Sequence, residues 1–246
     1  MIADPQVQLR LLDLQSVDTA LSQLNHRRQT LPQLAAIADR EARATEARTK
    51  LVEAETAVAD LADEQRRLEA DVDTVRQRAD RDQARMTASG VPAKEISGLQ
   101  HEVASLARRQ GTLEDELLEL MERRESVDAD VEQLRKEVAD IEVERASAVQ
   151  ARDEAFAEID AAQTAHQAER TEFASELPDD LLALYDRVRA ASGGVGAAML
   201  RQRRCEGCRL ELAGNELSAV RNAKPEDVLR CENCRRILVR TAESGL

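Results

Sequence analysis

The chain has 246 residues, of which 34% are charged and only three are aromatic: one Tyr, two Phe and no Trp. This usage is typical of long helices and coiled coils, and it excludes a thick core filled with aromatic rings. The formal net charge of -13 argues against a chain that wraps nucleic acid along its whole length. Positions 199–241 nevertheless hold ten Lys or Arg against six Asp or Glu, so a basic segment follows an acidic one.

The first residues, Met1 to Gln6, lack the basic start and apolar core of a signal peptide. No stretch of the sequence is long and apolar enough to cross a bilayer. We therefore expect a cytoplasmic protein with no membrane partner. In that reducing compartment, cysteines are better explained as metal ligands than as disulfides.

Heptad spacing of apolar residues dominates the first three quarters of the chain. A run from Leu14 to Leu31 is followed by a phase slip at Pro32, where proline removes a helical hydrogen bond and predicts a kink. A second run extends from Leu51 to Met86. After a Gly/Pro break at 88–93, a third run from Leu99 to Phe173 has sixteen apolar residues at twenty-two heptad positions.

Two long arms on either side of one break predict an antiparallel coiled-coil hairpin within the chain, and an intermolecular coiled coil is the alternative architecture. Gln65, Gln110 and Arg124 interrupt the apolar seam, and such buried polar residues set the register of coiled coils. Beyond Phe173 the heptad stops, and Pro178 with the following acids predicts a short helix. The glycines from Gly193 to Gly196 predict a connection, because no Gly-Lys-Ser/Thr follows to make a phosphate loop.

The four cysteines carry the only chemistry that the spacing specifies. Cys205 and Cys208 form one C-x2-C pair, and Cys231 and Cys234 form a second after a gap of 22 residues. Each pair fits a tight turn that points two sulfurs at one ion, and two such turns supply the four thiolates that Zn²⁺ favours. A redox pair of the thioredoxin type predicts one motif in a βαβ setting instead, which is absent.

Because protein would fill all four coordination positions, no water nucleophile could bind, and we predict one structural zinc ion per chain. The ion would replace the core that so small a module cannot build. Apolar stretches before the first pair and after the second predict a small antiparallel sheet of the zinc-ribbon type. The predicted fold is mainly α, and its domains are a coiled-coil helical hairpin at 1–175 with a tip near 88–94 and a kink near 32, a short helix and linker at 176–194, and a C4 zinc ribbon at 195–246.

No active site emerges from the remaining residues. His26, His101 and His166 are far apart in sequence, and the carboxylates lie in charge-rich helical faces where i,i+4 pairs arise without a catalytic reason. No nucleophile elbow, P-loop or dinucleotide motif is present. We therefore predict a protein that is not an enzyme and has no small-molecule substrate.

Arginines flank both cysteine pairs, and zinc coordination would bring these clusters together into a basic face that contacts phosphates or a partner. A solvated surface that offsets the thiolate charge explains them equally well. Stacking of single-stranded bases is not expected, because no aromatic residue follows position 195. The candidate contact residues are Arg201, Arg203, Arg204, Arg235, Arg236 and Arg240.

Several motifs between the hairpin tip and the second cysteine pair recur together in one group of proteins. They are Lys94-Glu95, Leu99-Gln100-His101-Glu102, Leu184-Tyr185-Asp186-Arg187-Val188-Arg189, Gly194-Val195-Gly196-Ala197-Ala198, Cys205-Glu206-Gly207-Cys208, Asn215-Glu216 and the run from Cys231 to Leu238. With these motifs the chain resembles the bacterial family of C4-type zinc-ribbon proteins with a long N-terminal coiled-coil hairpin, which are described as zinc-ribbon or nucleic-acid-binding proteins. Arg235 stands where a glycine commonly follows the last cysteine in that family.

The resemblance implies a non-enzymatic adaptor whose coiled coil and ribbon engage protein partners, in transcription, secretion or related assemblies. The alternative is a nucleic-acid-binding ribbon with a regulatory role in transcription or RNA. The acidic helices, the small positive excess left after four thiolates are counted, and the lack of an aromatic platform favour the adaptor.

Overall fold

A computed structural model describes all residues from Met1 to Leu246. Most of the chain is helical, and the strands are confined to the C-terminal region. The elements in chain order are α1 (Pro5–Gln29), α2 (Pro32–Thr87), α3 (Ala93–Ser175), α4 (Asp179–Ala191), β1 (Ala197–Arg201), β2 (Arg204–Cys205), α5 (Gly214–Asn222), β3 (Leu229–Arg230) and β4 (Ile237–Val239). No helix is long and apolar enough to cross a membrane.

Two compact units can be distinguished by their internal contacts, and the second comprises Ala35–Val149. In it, α2 and α3 run antiparallel and bury a narrow seam, which confirms the predicted coiled-coil hairpin. Ala44 and Ala47 are buried against Ile141 although they lie outside the predicted heptad runs. The other seven buried apolar residues of this unit occupy predicted heptad positions, because only a stripe of period 3.5 stays between two supercoiled helices. They are Leu61, Leu99, Leu106, Leu113, Leu120, Val131 and Ile141.

Polar contacts across this hairpin are mostly exposed ion pairs, such as Arg135 with Glu55 at 2.7 Å. Pairs of this kind contribute about 0–1 kcal/mol each, so the apolar seam carries the stability. One polar contact lies within the seam: Arg124 Nη1 donates to Gln65 Oε1 at 3.0 Å. The third polar seam residue, Gln110, bonds Glu114 on its own helix at 2.7 Å instead. Of the three polar seam residues, only Arg124 and Gln65 therefore bond across the two arms.

Proline and glycine mark the interruptions between the first three helices. α1 ends at Gln29, and α2 begins at Pro32, whose missing N–H costs nothing at the first helical position. Gly90 lies between α2 and α3 with φ of +89°, a conformation that a side chain disfavours. The helix break at Pro32 and the chain reversal at Gly90 therefore follow from local backbone chemistry.

The first compact unit comprises Met1–Leu34 and Gln150–Leu246. Its main apolar core joins three parts of the chain that are distant in sequence. Leu11 and Leu14 of α1 pack with Leu181 of α4 and with Ile237 and Val239 of β4. The sheet of the C-terminal region is thus covered by helices of the same unit. The division of the chain into domains at residues 176 and 195 stays a prediction from the sequence.

The sheet has four strands in the order β2-β1-β4-β3. β1 pairs with β4 in parallel, with Ala197 opposite Ile237, whereas the two outer pairs are antiparallel. The expectation of a wholly antiparallel sheet is therefore wrong. A parallel pair needs a crossover of a dozen residues or more, and the segment from β1 to β4, which contains α5 and both cysteine pairs, is long enough to supply it.

A buried polar network crosses this same core. Asp18 of α1 is fully buried, and its carboxylate accepts a hydrogen bond from Tyr185 Oη at 2.7 Å and from Arg170 Nε at 2.8 Å. Arg189 Nε lies 3.1 Å from Asp18 Oδ2, close enough for an ion pair but off the hydrogen-bond direction. Burial, reinforced by the bond to Asp18, raises the pKa of Tyr185. The network therefore connects α1, α3 and α4.

Gln15 connects the same network to the sheet. Its Oε1 accepts a hydrogen bond from Gly196 N at 2.6 Å and lies 3.2 Å from Tyr185 Oη, whose proton is donated to Asp18. A Cβ on Gly196 would lie 2.7 Å from two ring carbons of Tyr185, so glycine is needed for this close approach. Gly196, the residue before β1, is thereby held against Gln15 of α1 and Tyr185 of α4 at a distance that leaves no room for a side chain.

Candidate metal centre and the arginines around it

Each cysteine pair lies in a tight turn with the same hydrogen-bond pattern. In the first turn, Cys205 N donates to Leu210 O, and Cys205 O accepts from Arg209 N. In the second turn, Cys231 N donates to Arg236 O, and Cys231 O accepts from Arg235 N. The donor bonds are both 3.0 Å long. The two turns are therefore local copies of one another, as two C-x2-C pairs predict.

The residue after each pair has a left-handed backbone. Arg209 has φ of +61° and Arg235 has φ of +62°. A side chain at such a position costs roughly 1–2 kcal/mol relative to a right-handed residue. This backbone accounts for the glycine that is common in the family at the position of Arg235.

The four predicted cysteines converge, and their sulfurs all lie within 4.8 Å of one another. Cys205 Sγ is 3.8 Å from Cys234 Sγ, and Cys208 Sγ is 3.9 Å from Cys231 Sγ. A tetrahedron with Zn–S bonds of about 2.3 Å requires sulfurs roughly 3.8 Å apart. The donor set and its spacing therefore fit one Zn²⁺ ion with no open coordination position, which is a structural rather than a catalytic centre.

Burial raises the pKa of Cys205 and of Cys231, both of which are inaccessible to solvent. Without a cation, four thiolates could not share this space, because each negative charge disfavours the others. Zn²⁺ would compensate this repulsion and hold the thiols deprotonated, so that metal binding is coupled to folding of the two turns.

Glu216, at the N-terminal end of α5, is a buried charge that our sequence reading did not assign to the centre. It is only 3% exposed, and its Oε1 accepts a hydrogen bond from Glu232 N, in the second cysteine turn, at 2.8 Å. Its Oε2 is buried without a partner. Membership of Asn215-Glu216 in the family motif was the available signal. The residue positions the backbone of the second turn.

Two of the six predicted contact arginines are committed to backbone carbonyls. Arg236 donates to Gly207 O at 3.0 Å and to Ser192 O at 2.7 Å, which joins the two cysteine turns to the end of α4. Arg240 donates to Ala223 O at 3.0 Å and to Lys224 O at 2.5 Å. The hydrogen bonds of these two side chains therefore hold segments of the ribbon together.

The three arginines before the first pair are exposed but also have intramolecular partners. Arg201 pairs with Glu243 at 2.9 Å. Arg203 donates to Gly245 O at 3.0 Å, and Arg204 donates to Arg209 O at 2.8 Å. Each of these three side chains therefore has a contact within the chain, and a common basic face of all six arginines stays a prediction.

The sixth predicted arginine, Arg235, lines a pocket of about 350 Å³ beside the metal centre. Arg187 of α4 and Arg230 of β3 line the same pocket, and both were missed because nothing in the sequence links α4 to the second cysteine turn.

The sequence assigned no role to the histidines, and His166 bonds Glu169 on its own helix at 2.8 Å. The cysteines are the one cluster of potential metal ligands in the chain.

Comparison with known proteins agrees with this architecture. Residues 14–193 match the model of the CT398-like coiled coil hairpin domain, and residues 204–238 match that of the C4-type zinc ribbon domain. The uncharacterized protein Rv2229c of Mycobacterium tuberculosis is 39% identical over 95% of both chains. ML1638 of Mycobacterium leprae is 34% identical over 88% of this chain and 93% of its own.

Two solved structures share the fold. A protein from Mycobacterium smegmatis has 36% identity and a TM-score of 0.88, with 98% of this chain and 100% of that chain covered. CT398 from Chlamydia trachomatis has 20% identity and a TM-score of 0.73 over 96% of this chain and 98% of its own. The chain belongs to the family of CT398-like coiled-coil hairpin proteins with a C4-type zinc ribbon.

Proposed function

We propose that the chain is a non-enzymatic adaptor that binds protein partners through its helical hairpin and its ribbon. The observation that carries the proposal is apolar surface outside the seam of the hairpin. Leu118 and Met121 lie one turn apart on α3 and are 59% and 39% exposed, and Val143 is 71% exposed. Side chains of this kind on a helix face suit the apolar stripe of a partner helix.

The role of the cysteines, the most reactive side chains of the protein, supports the same proposal. The cysteines form a closed metal centre, and neither matched family description names a reaction. What is left for recognition is surface rather than a catalytic cleft. A protein with this distribution of chemistry acts by bringing other molecules together.

Nucleic acid is the competing ligand, and the arginines weigh against it. Sequence-independent binding to a phosphate backbone relies on several free cations along one face. Arg236 and Arg240 are engaged with carbonyls, and Arg201 has an acidic partner. The chain also carries a net charge of -13, which repels a polyanion at long range.

An affinity purification with and without nuclease separates these functions. The intact chain and the variant Leu118→Gln/Met121→Gln would be used as bait. We expect the intact chain to retain protein partners after nuclease and the variant to lose some of them, because it replaces apolar contact area with amides.

The matched control is Glu119→Gln/Glu122→Gln, which changes exposed residues of the same helix turn. This control should keep the partners that the apolar variant loses. If every partner disappears after nuclease treatment, the ribbon binds nucleic acid and the adaptor proposal is wrong.

A further inference from the structure

We infer that the pocket between α4 and the second cysteine turn is a docking site for a short acidic segment of a partner protein, in which Asp or Glu adjoins an aliphatic residue. The inference rests on the proposed adaptor function and names the chemistry that one of its surfaces recognises. Its residues all lie within the first compact unit.

Apart from the cysteine ligand Cys234, the charged side chains that line this pocket are all basic. Arg187, Arg230 and Arg235 line it, no carboxylate does, and none of the three forms an ion pair elsewhere in the structure. Zinc with four thiolates carries a formal charge of about -2, so the three arginines leave a positive excess beside Cys234. An acidic ligand would relieve the mutual repulsion of the guanidinium groups.

One of the three arginines, Arg230, is also held in place. Arg230 Nε donates to Arg235 O at 2.8 Å, which fixes the side chain and leaves its terminal N–H groups available. Arg236 ties the ribbon to Ser192 at the edge of the same pocket. The guanidinium fork of Arg230 is therefore preorganised to match the two oxygens of a carboxylate, and less of its side-chain entropy is lost when it binds.

The opposite wall of the pocket is apolar. Leu184, Val188 and Ala191 recur at helical spacing on α4, so one helix face contributes all three. A volume of about 350 Å³ accommodates a few side chains and lies at the small end of ligand pockets. The combination of an apolar wall and basic mouth fits an aliphatic side chain next to a carboxylate, and no aromatic residue is present to stack a base.

The test is a fluorescence anisotropy titration of the full zinc-loaded chain with three labelled probes. The first is a synthetic peptide of alternating Leu and Glu, the second is its twin with Gln in place of Glu, and the third is single-stranded oligothymidine. We expect the Glu peptide to bind about tenfold more tightly than the Gln peptide, because only carboxylates pair with the arginines.

The double variant Arg187→Gln/Arg235→Gln should weaken binding of the Glu peptide by about tenfold. The matched control is Arg209→Gln/Arg221→Gln, which likewise removes one arginine after a cysteine turn and one on a short helix. It changes the net charge equally, and neither residue lines the pocket. Affinity of the control should match that of the unchanged chain.

Equal weakening by both double variants would show that net charge alone attracts the peptide, and the pocket would not be the site. Equal binding of the Glu and Gln peptides, or pocket-dependent binding of oligothymidine alone, would also overturn the inference. These results come from purified components. If the pocket does not bind the peptide, the hairpin can still retain protein partners after nuclease treatment. The two proposals are therefore tested separately.

Discussion

Asp18 offers the sharpest test of how the first compact unit is held together. It is fully buried, yet it carries a charge that Arg170, Arg189 and Tyr185 compensate. The substitution Asp18→Asn keeps the shape of the side chain, removes the charge and places an amide group among three donors. It therefore perturbs electrostatics and hydrogen bonding with almost no change in volume.

The expected loss of stability follows from the exposure of the partners. Removing one member of a fully buried ion pair costs about 3–5 kcal/mol. The side chains of Arg170 and Arg189 are 20% and 32% exposed, so water can partly solvate them once Asp18 is neutral. We therefore expect a free energy of unfolding lower by about 2–3 kcal/mol, which moves the urea midpoint by roughly 1 M.

Tyr185 provides a fluorescence signal for unfolding of the first compact unit alone. It is the only tyrosine, the chain has no tryptophan, and the residue is fully buried against the Asp18 carboxylate. Its fluorescence therefore reports on the first compact unit, whereas circular dichroism reports on all the helices. Urea titrations followed by both signals should show an earlier fluorescence transition in Asp18→Asn.

Glu55→Gln is the matched control, because it neutralises one carboxylate of an exposed pair with Arg135. Its free energy of unfolding should change by less than about 1 kcal/mol. If Asp18→Asn shifts the fluorescence midpoint no more than this control does, the buried network does not stabilise the unit and the reasoning is refuted.

Three further outcomes follow from the same contacts. Because the pKa of Tyr185 is raised in the folded state, the stabilisation that its hydroxyl contributes is complete below about pH 10, its pKa in the unfolded chain, and is lost as the pH rises further. Tyr185→Phe should abolish this alkaline dependence of the free energy of unfolding in urea titrations followed by circular dichroism. Cys231→Ser should lose stoichiometric zinc by metal analysis, whereas the exposed non-ligand variant Asn233→Ser should keep one ion per chain. Glu216→Ala should release zinc to a colorimetric chelator about tenfold faster than the exposed control Glu211→Ala, and equal rates would show that the bond to the second cysteine turn is dispensable.

Local rules account for the parts of the fold that were predicted correctly. The seam from Leu99 to Ile159 follows the heptad because a supercoiled helix can bury only one stripe, whatever the rest of the chain does. Pro32 and Gly90 interrupt helices through their own backbone chemistry. The cysteine spacing specifies two tight turns and, with them, the ligand set.

The assignment of the arginines illustrates what such rules miss. Six were expected on one basic face because they are near the cysteines in sequence. Arg236 and Arg240 donate to the backbone carbonyls of Gly207 and Ala223, which lie in the segment between β1 and β4. Arg187 and Arg230 meet Arg235 only because α4 packs beside the ribbon. Proximity in sequence does not reveal which backbone groups will need a donor.

The sequence by itself determined the coiled-coil hairpin, its breaks and the zinc-binding turns, since each depends on residues within a few turns or a short motif of one another. Only the tertiary structure decided the parallel pairing of β1 with β4, the common core of the ribbon with α1, and the grouping of three arginines at one pocket. These features join residues up to the full length of the chain apart, and they form because buried polar groups and apolar surfaces must find partners wherever the chain supplies them.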